Sequence, residues 1–284
     1  MADSESLLES IGRGGPLADL FRRASCELRA AIGHKLTTGA APALLRELTD
    51  VAHQQLASGV AASPLVVLRQ CGAGCHACCH TVNADVTPLE AIVAAEYLQQ
   101  NCEAIKLTPV RERLRENARR RAALSATERA RLRARCGLLG DDGLCQVYAA
   151  RPLVCAGVFS LSRTACETAA TSRNLPEQTI PLDRSAKAWT MGLSGGLQRA
   201  LVEAGLDGNL YELNSAVLCA LETPEAARRW LAGEDIFADC ICTDAHSPPR
   251  HQPRDVRVDA PHATLANKLR AVGTKTAIRL DRRS

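Results

Sequence analysis

Aromatic side chains are scarce in this chain. Three Phe, three Tyr and two Trp make up 3% of its 284 residues. Single-stranded nucleic acid is bound on stacking platforms built from such rings, so that class of function has little to rest on. A core poor in rings must come from Ala, Leu, Val and Ile, which suits close-packed helices. The chain also lacks an apolar run of the roughly 18–20 residues that a membrane-spanning helix needs. A large excess of charge of one sign is missing too. Lys and Arg number 35 against 31 Asp and Glu, a net charge of +4, too small to make the whole chain a polyanion binder. The opening residues MADSESLLESIGRGG are acidic and polar, unlike a basic-then-apolar secretory leader. No G-x-G-x-x-G follows a strand-like run, and there is no internal repeat. The expectation is a cytoplasmic protein that does not enter membranes.

Cysteine, by contrast, is abundant: there are thirteen. A disulfide framework belongs to short secreted chains, and this chain is neither short nor visibly secreted. Four of the thiols, Cys71, Cys75, Cys78 and Cys79, fall within CGAGCHACC. Cys136, Cys145 and Cys155 follow in CGLLGDDGLCQVYAARPLVC. Thiolates are soft ligands, and clusters at two- and three-residue spacing point to zinc or an iron–sulfur centre, not to magnesium or calcium. Gly72 and Gly74 let the backbone curl tightly around a bound ion. Adjacent side chains usually point apart, so Cys78 and Cys79 need not bind the same atom. Pro152 fixes its own φ and drives Arg151 from helical geometry, so the chain should bend there and leave Cys145 and Cys155 facing one site. Asp141-Asp142-Gly143 is a turn by composition. Arg151 is either an offset to the charge of several thiolates or an ordinary surface arginine.

The remaining candidates have plainer readings. Cys26, Cys102 and Cys219 sit singly in helical stretches, as small buried hydrophobes do. His76 and His80 flank the cluster as outer donors or exposed residues. Cys240-x-Cys242 with His246 offers an extra metal site. Ten arginines between 111 and 135 suggest nucleic acid at first sight, but Glu112, Glu116 and Glu128 interleave, and Leu114, Leu124 and Leu132 anchor amphipathic helices with a solvated basic face.

Periodicity predicts a mainly α protein, a helical domain around an irregular cysteine-rich metal-binding segment. Leu17, Leu20, Phe21, Leu28 and Ile32 mark one helix, and Leu44, Leu45, Leu48, Val51 and Leu56 a second that stops at Gly59. SPLVVLRQ, residues 63–70, is strand or helix. Thr87-Pro88-Leu89-Glu90 is a capped helix start, with Leu89, Ile92, Val93 and Tyr97 as its stripe. Thr108-Pro109 and Ser125 with Glu128 repeat the start signal. Helices are expected over 183–205 and 210–222, then a short one opened by Thr223-Pro224 and closed by Gly233. The division expected is 1–62, N-terminal helices packing on the core; 63–240, the cysteine-cluster domain with its C-terminal helices; and 241–284, a Pro-rich disordered tail.

The run C-x3-C-x2-C-C, then a Cys, a Gly-containing turn and Cys-x-x-Tyr-x-x-Arg-Pro-x-x-Cys, closely resembles the YkgJ-type cysteine-cluster proteins. That family is described as a putative zinc- or iron-chelating domain, and its relatives include flagellin lysine N-methylases. The matching positions are Cys71, Cys75, Cys78, Cys79, Cys136, Cys145, Tyr148, Arg151, Pro152 and Cys155, and the stretch through Cys166 to Trp230 and Asp235 is similar to longer members. The resemblance implies that the seven matching cysteines bind an iron–sulfur cluster, of [4Fe–4S] type, or zinc, with the methylases tipping the choice to iron–sulfur. It also implies an alternative, an iron–sulfur enzyme resembling protein lysine N-methyltransferases with a protein or peptide substrate, although no substrate-binding or catalytic position of the methylases can be matched. A zinc-supported interaction or nucleic-acid module is a lesser alternative. Cys71, Cys75 and Cys78 have the spacing of radical S-adenosylmethionine enzymes as well. Those enzymes usually carry an aromatic where Ala77 stands, and they need a β/α barrel that this helical pattern does not suggest.

Overall fold

The computed structural model describes residues 7–37, 42–72, 74–81, 83–172 and 180–243. As expected, the architecture is mainly helical. It opens with α1 (Leu7–Gly12), α2 (Pro16–Thr37) and α3 (Pro42–Ala61). After an irregular stretch come β1 (Asp85–Val86), α4 (Pro88–Asn101), α5 (Ala104–Ala122) and α6 (Ala126–Arg131). The short α7 (Leu153–Ala156) and α8 (Arg163–Thr171) precede α9 (Arg184–Glu203), β2 (Tyr211–Glu212), α10 (Leu213–Glu222) and α11 (Ala226–Leu231). None of these helices is long and apolar enough to cross a membrane.

Local capping chemistry sets several boundaries where the sequence places them. Thr87 caps α4 through the Glu90 amide while the Glu90 carboxylate returns to the Thr87 amide, and Ser125 and Glu128 do the same for α6. Asp183 caps α9 at the Ala186 amide. Beyond the ends of α9 and α11, Gly205 and Gly233 adopt φ of +78° and +87°, the left-handed geometry that glycine accepts without strain.

Other boundaries differ from expectation. Helix α3 does not stop at Gly59 but runs through it to Ala61. A Cβ at Gly59 would lie 2.2 Å from the indole of Trp189, so this glycine marks a close approach of α9, not a terminus. Pro109 does not begin a helix either; it lies inside α5, which starts at Ala104. A proline there removes a single amide bond near the first turns, which a helix anchored by buried Val110 and Leu114 tolerates. Residues 210–212 are not helical: β1 and β2 pair antiparallel, Asp85 opposite Glu212 and Val86 opposite Tyr211, and α10 starts after them. The 63–70 run is neither long strand nor α-helix but holds a single 3-10 turn at Val66–Leu68.

One apolar core joins these elements. Leu28 and Ile32 of α2, Leu45 and Leu48 of α3, Leu89 and Ile92 of α4, Leu193 and Leu197 of α9 and Val217 of α10 are all buried in it. Helices α2 and α9 approach closely because Gly192 and Gly196 face them with no side chain; a Cβ at Gly192 would stand 2.3 Å from the Phe21 carbonyl oxygen, and one at Gly196 would stand 2.4 Å from that of Ser25. Burial of Ala and Leu along such a seam is the main favourable term for folding. Two ion pairs are sunk into the fold, Arg69–Asp183 at 2.7 Å and Arg121–Glu212 at 3.2 Å.

Cys26 is exposed, not buried as its helical setting suggested, because it falls on the outer face of α2. Cys102 is half-buried as the C-cap of α4. The Pro-rich stretch from 244 onward, His246 included, lies outside the described residues.

Candidate metal centre

The first cysteine group hangs from a pinned entry. Arg69 is held by Asp183, the Gln70 amide donates to the Ser160 carbonyl at 2.9 Å, and the Gln70 side chain accepts from the Arg163 amide at 2.8 Å. Past Cys71 the backbone reverses at Gly74, whose φ is +78°. It then tightens into a 3-10 turn over Ala77–His80. That tight turn brings both Cys78 and Cys79 to the wall of one cavity.

The second group is fixed by polar residues buried behind it. The Cys136 amide donates to the Cys79 carbonyl at 2.7 Å, a direct backbone link between the two groups. On either side of Cys136, Asn117 donates to the Arg135 carbonyl at 2.7 Å and Asn214 accepts from the Gly137 amide at 2.9 Å. Leu139 and Cys145 then pair across a tight hairpin. Its tip turns at Gly143, with φ +76°, while Asp142 accepts from the Leu144 amide, as the Asp-Asp-Gly composition predicts. Arg151 takes extended geometry before Pro152, which caps α7. The Glu90 carboxylate also accepts from the Leu153 amide at 2.9 Å. The residue that caps α4 thus also holds the turn that carries Cys155.

These two groups surround a single cavity of about 100 Å³. Six of the seven expected ligands line it: Cys75, Cys78, Cys79, Cys136, Cys145 and Cys155. The remaining wall is apolar, with Leu138, Val147 and Val154, and His76, Tyr148 and Arg151 also border it. Cys71 stands outside this lining. Its sulfur accepts from the Ser160 amide at 3.1 Å, and it faces Cys75 and Cys166 of α8. Cys166 was not among the expected ligands, since a single cysteine eleven residues beyond Cys155 carries no spacing signal of its own. Among the described residues no three His, Cys, Asp or Glu side chains are placed to hold a single ion as they stand.

Burial governs the thiols. It pushes Cys136 up to about 12 and raises Cys155 well above an ordinary thiol, with the charges of neighbouring cysteines adding to the effect. Cys145 is raised for the same reason. Cys78 is the exception. The Cys79 thiol hydrogen-bonds to it and lowers it to about 7, with the Arg151 charge assisting, while Cys79 is raised in turn. Arg151 lies 3.8 Å over the Tyr148 ring and is half-buried at the cavity wall, and its charge is one of the influences that lower Cys78. A cavity that disfavours several thiolates in isolation suits them once a cation supplies the opposing charge, because coordination deprotonates a thiol outright. The donor set therefore fits a soft, thiophilic metal centre. His76 and His80 pack edge to face at 5.5 Å. Burial lowers His80, with His76 and Arg135 adding to it, and the ring does not line the cavity.

Residues 70–172 match the family model CxxCxxCC, putative zinc- or iron-chelating domain. Over this segment the chain is similar to that family. The match encloses both cysteine groups and also takes in Cys166, so the cavity and its neighbour fall within one family unit. Metal binding through cysteines is the function that this match supports. No curated protein and no solved structure matches the chain.

Proposed function

We propose that the CxxCxxCC cavity holds an iron–sulfur cluster, through thiolates drawn from Cys75, Cys78, Cys79, Cys136, Cys145 and Cys155, with Cys71 beside them. The observation that carries this choice over zinc is the number of thiols. A structural zinc site takes four ligands. Here six cysteines line one cavity, more than one zinc ion uses, and a polynuclear centre has room for them.

Bound there, such a cluster supplies electron transfer and, at an iron without a thiolate, a coordination position. The chain's own residues do the rest. Arg151 offsets thiolate charge, Leu138, Val147 and Val154 exclude water, and Asn117, Asn214 and Glu90 hold the backbone on which Cys136 and Cys155 stand. The Ser160 amide donates to the Cys71 sulfur, the kind of bond that tunes a cluster's potential.

A catalytic reading has one observation in its favour. The cavity opens beside Tyr148 and Leu144, which are 59% and 53% exposed, so a protein or peptide segment has an aromatic and an aliphatic contact at the mouth. Titration of the holoprotein with S-adenosylmethionine, followed by EPR and calorimetry, tests it; a perturbed cluster signal supports an enzyme, and silence in both supports a binding protein.

The test of the metal itself is anaerobic purification, metal and sulfide analysis and a visible spectrum. Coloured protein with iron and acid-labile sulfide in equal amounts is expected. Colourless protein with stoichiometric zinc would replace the cluster by zinc, and protein without metal would refute both.

A further inference from the structure

Away from the cavity, two cysteines that looked unrelated in sequence meet. Cys219 lies on α10, and Cys240 lies within a strap, residues 236–243, that folds back over that helix. The Cys219 thiol donates to the Ile236 carbonyl of the strap at 2.7 Å, and the Cys240 thiol lies 3.5 Å from the Ser215 carbonyl, one turn before Cys219 on α10. Each thiol thus sits on the backbone that bears the other. Neither residue lines the cavity.

The strap is well fixed, so this meeting is a property of the fold. Phe237 is fully buried and packs 5.4 Å from Tyr211. The Ile241 carbonyl accepts from the Glu212 amide at 2.9 Å, and the Thr243 amide donates to the Leu210 carbonyl at 2.9 Å, which lays the strap alongside β2. Cys242, two residues on, is exposed.

We propose that Cys219 and Cys240 are a peroxide-reactive dithiol that closes to a disulfide between α10 and the strap. The roles follow from the surroundings. Cys219 is the more exposed of the two, and Cys240 and Thr223 lower it against burial, whereas Cys240 is buried and raised; on ionising, Cys219 gives up its bond to the Ile236 carbonyl. A thiolate is the nucleophile in such chemistry. Cys219 attacks the distal oxygen of a hydroperoxide; the O–O bond breaks, and water or an alcohol departs with the thiol's proton, leaving a sulfenic acid. The Cys240 sulfur then attacks the Cys219 sulfur; the S–O bond breaks, the S–S bond forms and a second water leaves. Two electrons pass from the thiol pair to the peroxide, and a small dithiol reverses the change.

The test uses the full-length holoprotein and hydrogen peroxide. After a limited dose, free thiols are alkylated in denaturant and the protein is digested after Lys and Arg. Cleavage at Arg228 and Arg229 places Cys219 and Cys240 on separate peptides. A cross-linked Cys219–Cys240 peptide is expected in the wild type and in Cys242→Ser, removed by dithiothreitol and absent from Cys219→Ser. Recovery of both residues alkylated, at a dose that oxidises other thiols, would overturn the proposal. So would Cys219 linked to Cys242, or Cys219 carried on to sulfinic acid with Cys240 still free. The wild-type and Cys242→Ser maps decide the matter even if Cys219→Ser does not fold.

Discussion

Glu90 joins a helix cap to the metal centre, and its removal should show both roles. The carboxylate is 6% exposed. One oxygen accepts from the Thr87 amide at 2.9 Å and the Thr87 hydroxyl at 2.8 Å, and the other accepts from the Leu153 amide at 2.9 Å. Hydrogen bonds to a charged group contribute about 1.5–3 kcal/mol each, and a buried amide left without a partner costs about 1–3 kcal/mol. These terms overlap, so Glu90→Ala should destabilise the protein by about 3–4 kcal/mol in total. Glu90→Gln keeps the shape and one acceptor but turns an amide N–H toward either Thr87 or Leu153; about 1–3 kcal/mol is expected. Urea unfolding followed by circular dichroism measures the loss, and hydrogen exchange at the Leu153 amide locates it. Metal retention should fall in the same order, since Leu153 begins the turn that carries Cys155. A loss below about 1 kcal/mol for Glu90→Ala, or unchanged protection at Leu153, would refute the reasoning.

Gly59→Ala should destabilise by about 1–3 kcal/mol despite alanine's better helix propensity. The new Cβ meets an indole that cannot easily give way, because Trp189 donates to the Gln55 carbonyl at 3.0 Å and lies beneath Arg23; a thermal melt at or above wild type would contradict this. Asp183→Asn should cost about 3–5 kcal/mol by leaving buried Arg69 without its partner, measured by denaturant unfolding. Burial alone would raise the Asp183 carboxyl, but the Ala186 amide, Ser63 and Arg69 outweigh it and hold it below the usual range. Its contribution is therefore complete above the unfolded carboxyl value of about 3.9 and is lost as pH falls below that toward the folded value; acid titrations of stability should be shallower in the variant. Stripping the metal should loosen residues 74–81 and 136–152, which hold no α-helix, and leave α2, α3 and α9 protected; uniform hydrogen exchange with and without metal would rule this out. Cys155→Ala should abolish metal retention, whereas Cys26→Ala, on the exposed face of α2, should leave the metal content unchanged.

Local chemistry was legible in the sequence because it depends on residues within one turn of each other. Thr87 with Glu90, Ser125 with Glu128, and Gly205 and Gly233 past their helices announced themselves by type and spacing, and the structure uses each in the expected way. The two cysteine groups were equally plain, since thiols at two- and three-residue spacing beside glycines have little use in packing. What the chain could not show was which distant residues meet. Gly59 looked like a helix stop because the Trp189 ring that needs its missing side chain is far away in sequence. Glu90 showed one oxygen's role, at Thr87, and hid the other's, at Leu153. The backbone link between Cys136 and Cys79, with Asn117, Asn214 and Glu90 behind it, draws the two groups around one cavity while Cys71 stands outside it. Cys219 read as a solitary helical residue until the strap brought Cys240 onto it. Spacing encodes contacts within a turn; contacts between elements are set by how whole apolar faces pack, and no single residue records that.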